Sequence, residues 1–282
     1  MRGSAVALAL CAALNASAKD DQRIVTVGGA ATESVFALGA GDRVVAVDLS
    51  STYPEQVRAL PQVGYIRNIS PEGILSMKPD LIVTTESLGP PAAKSMMKQL
   101  KMPIVWLPEP NSVEALEESL NAVAAKVGGE DKAKEIIAGV NEAVENAQAD
   151  SATWAKKPSV VFFMEPPGAG SAGMAGGEET RSAELIKLAG GENAVTGFKN
   201  FQTMSIESLI EIDPDVIIVG MSAGHGTTPE GLAAFKQLPG VASTNAVKNG
   251  AIYGVPLDDL NFGPRLGDAV TRWHGHFAEV AE

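Results

Sequence analysis

The chain has 282 residues, enough for two α/β lobes that each bury a core. It is acidic, with 34 Asp and Glu against 22 Lys and Arg and a net charge of -12, which argues against nucleic acid or anionic lipid as a partner. The only cysteine, Cys11, lies in the N-terminal apolar stretch, so the rest of the chain has no thiol for a disulfide or a thiolate metal site.

Residues 1–18 read as an export leader. Arg2 gives a positive start, Ala5 to Leu14 an apolar stretch too short to span a bilayer, and Ala16-Ser-Ala18 a small-residue cleavage site. The protein is therefore expected to be exported, cleaved near Ala18 and beginning near Lys19. Lipid attachment at Cys11 stays open, although Leu10 precedes it where a small residue is normally wanted. No later segment is long and apolar enough to cross a membrane.

Ile24 to Val27 reads as a buried strand, Gly28-Gly29 as its turn, and Thr32 as the cap of a helix that runs to Leu38 and ends at Gly39. Arg43 to Val47 reads as a second strand, followed by the polar loop Asp48 to Pro54 and a short element around Val63 to Ile66. Ser70-Pro-Glu-Gly-Ile-Leu-Ser-Met-Lys-Pro-Asp-Leu-Ile-Val83 then reads as a short capped helix, stopped by Pro79, that feeds a buried strand. A helix near Ala92 to Leu100 leads to a strand at Ile104 to Leu107. Strands alternating with helices at this spacing predict a largely parallel sheet.

From Ser112 to about Trp154 the pattern is nearly continuous helix, broken at Gly128-Gly129. A second lobe follows, with a strand at Ser159 to Met164, the glycine-rich loop Pro166 to Gly177, and a helix at Ser182 to Ala189. Such a loop is too poor in side chains for a core and belongs beside a ligand crevice. Then Ser205-Ile-Glu-Ser-Leu-Ile-Glu-Ile-Asp-Pro-Asp-Val-Ile-Ile218 repeats the earlier segment 135 residues on. Two copies imply two similar lobes with a ligand cleft between them. The expected organisation is a leader at 1–18, an N-terminal lobe at 19–127, a connecting helix at 128–156 and a C-terminal lobe at 157–282.

Catalytic signatures are missing. Val27-Gly-Gly-Ala-Ala-Thr32 lacks dinucleotide-binding spacing, and neither a phosphate-binding loop nor a nucleophile elbow occurs. His274 and His276 stand two apart on the terminal helix and cannot share a metal on one face, while His225 is a loop residue beside a lobe-two strand. A site built on several histidines is not expected, and neither is an enzyme.

Several segments resemble one family: Gly28-Gly-Ala-Ala-Thr-Glu33, Ser51-Thr-Tyr-Pro54, Val63-Gly-Tyr-Ile-Arg67, Leu188-Ala-Gly-Gly-Glu-Asn193 and Asn261-Phe-Gly-Pro-Arg265. Together they are similar to the haem-binding periplasmic proteins of bacterial haem-uptake ABC transporters, within the cobalamin- and siderophore-type cluster. The resemblance implies two Rossmann-like lobes with largely parallel sheets joined by one long helix. It implies haem as the transported ligand, with Tyr65 on its iron. A phenolate is a hard anionic donor suited to ferric iron, and a free phenol, with a pKa of about 10, needs the metal and a nearby cation to ionise at neutral pH.

Arg67, two residues on in an extended segment, is expected on the same side as Tyr65, to stabilise the phenolate or meet a propionate. Arg265 is the second propionate candidate, since its fork matches a carboxylate. Tyr53, Met164, Met174 and His225 are candidate secondary cleft contacts, although methionines at strand ends are more often gap fillers, and Tyr253 reads as a core strand residue. Glu72 and Glu207 match the family's two docking acids, one per lobe, for an inner-membrane ABC permease, although first-turn acids need no such role. The chain is expected to act as a monomer, downstream of an outer-membrane haem receptor system and without nucleic acid. The alternatives are a ferric siderophore or cobalamin on the same fold, and an exported α/β enzyme.

Overall fold

The structure, a computed structural model, describes residues 21–168, 173–222 and 227–281. The expected leader, its cleavage site, Cys11 and His225 lie outside the described residues. The described residues fall into two compact units, the first within 1–110 and 114–137 and the second within 111–113 and 138–282.

The first unit contains β1 (Ile24–Val27), α1 (Gly29–Ala37), β2 (Val44–Ala46), β3 (Gly64–Tyr65), β4 (Asn68–Ile69), α2 (Pro71–Ser76), β5 (Leu81–Thr85), α3 (Pro91–Lys98), β6 (Ile104–Leu107) and α4 (Val113–Val127). Its four-stranded sheet has the order β2-β1-β5-β6, parallel throughout. Strands β1 and β5 are buried along their whole length, as expected of apolar runs in a parallel sheet covered on both faces. Strands β3 and β4 form a separate antiparallel hairpin.

Helix α5 (Glu130–Ser151) spans the division between the units. The second unit continues with β7 (Ser159–Glu165), β8 (Gly173–Gly176), α6 (Arg181–Leu188), β9 (Glu192–Asn193), β10 (Phe201–Met204), α7 (Ile206–Ile212), β11 (Val216–Met221), α8 (Pro229–Lys236), α9 (Asn245–Lys248), β12 (Ile252–Pro256) and α10 (Leu266–Ala281). Its sheet runs β10-β8-β7-β11-β12, with β9 also on β7. The β9, β7, β11 and β12 pairings are parallel, while β8 is antiparallel to both neighbours.

The echoed segments fold alike. Ser70 and Ser205 cap α2 and α7 by accepting the amides of Gly73 and Ser208 at 3.3 and 3.2 Å. Lys78 and Asp213, at equivalent places, both adopt a left-handed conformation at the helix end, with φ of 49° and 45°. Asp80 and Asp215 follow the two prolines, and each takes the amide at the head of the neighbouring parallel strand: Arg23 at 2.9 Å and Ser159 at 2.8 Å. The repeated Pro-Asp thus stops a helix and ties two strand starts together.

Four expectations need correction. Thr32 does not cap α1. Gly28 holds that place with no side-chain cap, while Thr32 sits buried inside the helix with its hydroxyl 2.7 Å from those of Thr26 and Ser51. The second half of the glycine-rich loop is strand β8, whose backbone packs where a side chain would not fit; a Cβ on the adjoining Gly177 would lie 2.1 Å from the carbonyl oxygen of Phe198. Tyr253 is on a strand but only half-buried, stacked on His276 at 3.9 Å and donating to Glu279 at 2.6 Å. Burial, then the Glu279 carboxylate, pushes its phenol well above the usual range. Finally, Arg67 lies in the turn between β3 and β4, so the extended-strand reason for placing it beside Tyr65 does not hold.

Candidate functional site

The β3–β4 hairpin presents Tyr65 through a simple division of labour. Val63, Ile66 and Ile69 are buried in the first unit's core beside Val25, Val27 and Ile82, while Tyr65, Arg67 and Asn68 are exposed. Tyr65 is 41% exposed, unusual for a large aromatic whose chain neighbours are fixed. Gly28 makes room for the arrangement. Its φ is 105°, and a Cβ there would lie 2.9 Å from Cδ1 of Ile66, so both conformation and space demand glycine.

Asp48, wholly buried at the end of the β2 segment, is the hub beneath this hairpin. One carboxyl oxygen accepts from the Gly28 amide and the Ser51 hydroxyl, each at 2.7 Å. The other accepts from the Ser50 amide and hydroxyl at 3.0 and 2.6 Å and from the Ile66 amide at 3.2 Å. Because Ile66 directly follows Tyr65, this group ties the tyrosine to the sheet end and to the loop carrying Tyr53. Backbone bonds complete the mounting: Leu49 N to Gly64 O at 2.8 Å, Gly89 N to Ile66 O at 2.9 Å and Ile69 N to Gly89 O at 3.0 Å. Asp48 and the exposed Leu49 were passed over in the sequence. The signal for Asp48 was an acid just after a strand with serines two and three residues on, the pattern of a carboxyl capping its own loop.

The other expected site residues fall as follows. Tyr53 is exposed on the first unit, in the loop after Asp48. Met164 is half-buried near the end of β7, and Met174 is half-buried on β8. Met174 has a positional meaning that the sequence concealed. In the hairpin, Gly64 pairs with Ile69 and Tyr65 with Asn68; in the second unit, Gly173 pairs with Met204 and Met174 with Thr203. Ile69 and Met204, like Asn68 and Thr203, are 135 residues apart, so Met174 occupies in its unit the pairing place of Tyr65. Arg265 has a carboxylate oxygen of Asp258 at 3.6 Å. His274 and His276 diverge: His274 faces the Ala189 carbonyl and Asp150 at 3.0 and 3.1 Å and stacks on Trp154, while His276 stacks on Tyr253.

Glu72 and Glu207 are exposed on α2 and α7. The hydroxyls of Ser70 and Ser205, together with each acid's own backbone amide, hold both carboxyls below the usual range. Among the described residues no cluster of three or more His, Cys, Asp or Glu could hold a metal, and no helix is long and apolar enough to cross a membrane.

A profile of the family described as periplasmic binding protein matches residues 24–258. The chain is 27% identical over 261 residues to YvrC of Bacillus subtilis (strain 168), an uncharacterized ABC transporter substrate-binding lipoprotein, covering 89% of this chain and 78% of that one. It is 26% identical over 232 residues to the vitamin B12-binding protein of Yersinia pestis (strain Pestoides F), covering 82% and 80%. It is also similar to the structure of the periplasmic heme-binding protein RhuT from Roseiflexus sp. RS-1 in apo form, at a TM-score of 0.80 and 31% identity over 93% of this chain and 100% of that one. These relatives are substrate-binding transport proteins, not enzymes. With a family match across most of its length and a largely parallel sheet in each of two units, this chain belongs to the periplasmic binding protein family, as a substrate-binding protein of an ABC transporter.

Proposed function

We propose that the cargo is haem, held through the Tyr65 phenolate on ferric iron and passed to an inner-membrane ABC permease. The observation that carries this reading is the phenol of Tyr65, left exposed on a hairpin whose every other anchor is buried or hydrogen-bonded. A solvent-open phenol on a fixed stretch of backbone suits an iron ligand, because the point from which the oxygen reaches the metal is set before the metal arrives. The similarity to a haem-binding protein of known structure supports the same ligand. Arg67, in the adjacent turn, supplies positive charge for the phenolate or a propionate. Arg265 is the other propionate partner and would share itself with Asp258. Tyr53, Met164, Met174 and His225 are secondary contacts. Glu72 and Glu207 are the docking acids for the permease, meeting basic residues on its periplasmic side. The protein is exported, acts as a monomer, and receives haem that an outer-membrane receptor system has admitted.

A second reading, cobalamin as cargo, is favoured by the similarity to the Yersinia pestis protein. Parallel titrations with haemin, cyanocobalamin and a ferric hydroxamate siderophore, read by absorbance and by metal content per chain, separate the readings. Haem as cargo predicts saturable uptake of haemin and none of the other two. Uptake of cyanocobalamin or the siderophore in place of haemin would replace the reading.

A further inference from the structure

Large apolar side chains that stand exposed are few among the described residues: Leu49, Tyr53, Tyr65, Leu75, Met96 and Ile210. Scattered exposed leucines need no explanation, but two of these six are not scattered. Leu75 and Ile210 lie 135 residues apart, at the same place in the two echoed helices, and are 39% and 40% exposed. Their chain neighbours Ile74 and Leu209 are fully buried, so each helix spends one aliphatic on its core and leaves the next partly exposed. Each exposed aliphatic stands three residues after an echoed acid, Glu72 or Glu207, and residues three apart on a helix share a face.

We propose that Leu75 and Ile210 are docking residues for the permease, each forming with Glu72 or Glu207 a paired contact of one acid and one aliphatic. This rests on the docking reading given above and adds the apolar half of the contact. Charge complementarity defines the occupant. An acid held ionised beside an aliphatic fits a periplasmic permease surface on which an arginine or lysine stands next to apolar side chains. The acid steers approach and fades with salt, while the aliphatic gains from leaving water and does not. The Ser70 and Ser205 hydroxyls and the acids' own backbone amides lower both carboxyl pKa values, which favours the charged half of the contact.

The test uses the full chain and the importer permease of the same genome in lipid nanodiscs, with affinity measured over a range of salt. Leu75→Gln with Ile210→Gln should weaken binding about fivefold to tenfold at every salt concentration, leaving the salt slope unchanged. Glu72→Gln with Glu207→Gln should weaken binding at low salt and flatten the slope. Leu75→Met with Ile210→Leu should bind as the unaltered protein does, which separates lost apolar contact from a disturbed helix. Haemin uptake in solution should be the same in all three. If the Gln pair at 75 and 210 binds normally while the pair at 72 and 207 does not, the aliphatic contact is wrong and the docking acids stand. If neither pair changes affinity, or the unaltered protein binds no permease nanodisc, docking through these helices falls altogether.

Discussion

The two echoed regions share a frame and differ in what precedes it. In both, a serine caps a short helix, a left-handed residue and a proline end it, and an aspartate clasps the first amide of the neighbouring strand. Both are preceded by an antiparallel pair of matching register, but the first pair presents Tyr65 to solvent and the second carries Met174 half-buried. The repeated part therefore builds the units, and under the proposed function the unrepeated residue at the matched position is where ligand chemistry differs. A duplicated scaffold allows this because the frame's hydrogen bonds do not involve the residue that varies.

The sharpest way to break the contrast is to remove what mounts the tyrosine. Asp48→Ala leaves buried donors unpaired at Gly28, Ser51 and Ile66, and should cost roughly 2–5 kcal/mol in denaturant unfolding. Hydrogen exchange should quicken at residues 64–69 in that variant, with residues 201–218 of the other unit unaffected. A smaller loss, about 1–3 kcal/mol, is expected from Gly28→Ala, which meets both a positive φ and the Ile66 side chain.

Within the shared frame the two aspartates should not be equal. Asp215 accepts from the Ser159 amide and hydroxyl and from Lys156, whereas Asp80 accepts from the Arg23 amide. Asp215→Asn should therefore cost about 1–2 kcal/mol and Asp80→Asn less, by thermal or denaturant unfolding. Burial works to raise the Asp215 carboxyl, but Lys156 and Ser159 outweigh it and hold it below its ordinary value. The sign follows: this stability is present above the unfolded pKa and is lost as pH falls through the lower folded one. The gap between the Asp215 variant and the parent should close in acid. The smallest effect is expected from Met174→Leu, which keeps volume and apolar character; stability should move by less than about 1.5 kcal/mol. If Met174 touches the cargo, haemin affinity falls a few-fold while the tyrosine signature stays.

Much of the frame was legible in the sequence because it rests on local rules. Apolar runs of strand length, Ser at the head of a short helix and Pro at its end were readable at both copies. The mounting of Tyr65 was not. Ile66-Arg67 has no turn signature, and the hairpin is imposed by Asp48, Gly28 and Gly89, which lie 18 or more residues away from Ile66 in sequence. Strand β8 was hidden for the converse reason: its glycines carry no apolar alternation, and its packing depends on close backbone approach. Thr32, readable as a cap, is drawn inward by Thr26 and Ser51, a hydroxyl chain that only the folded unit brings together.

The central claim is that Tyr65 is the iron ligand, and the visible and resonance Raman spectra of haemin-loaded protein test it most directly. The account predicts a high-spin ferric spectrum with a phenolate-to-iron charge-transfer band, lost in Tyr65→Phe with much weaker haemin retention. An unchanged spectrum in Tyr65→Phe would contradict it.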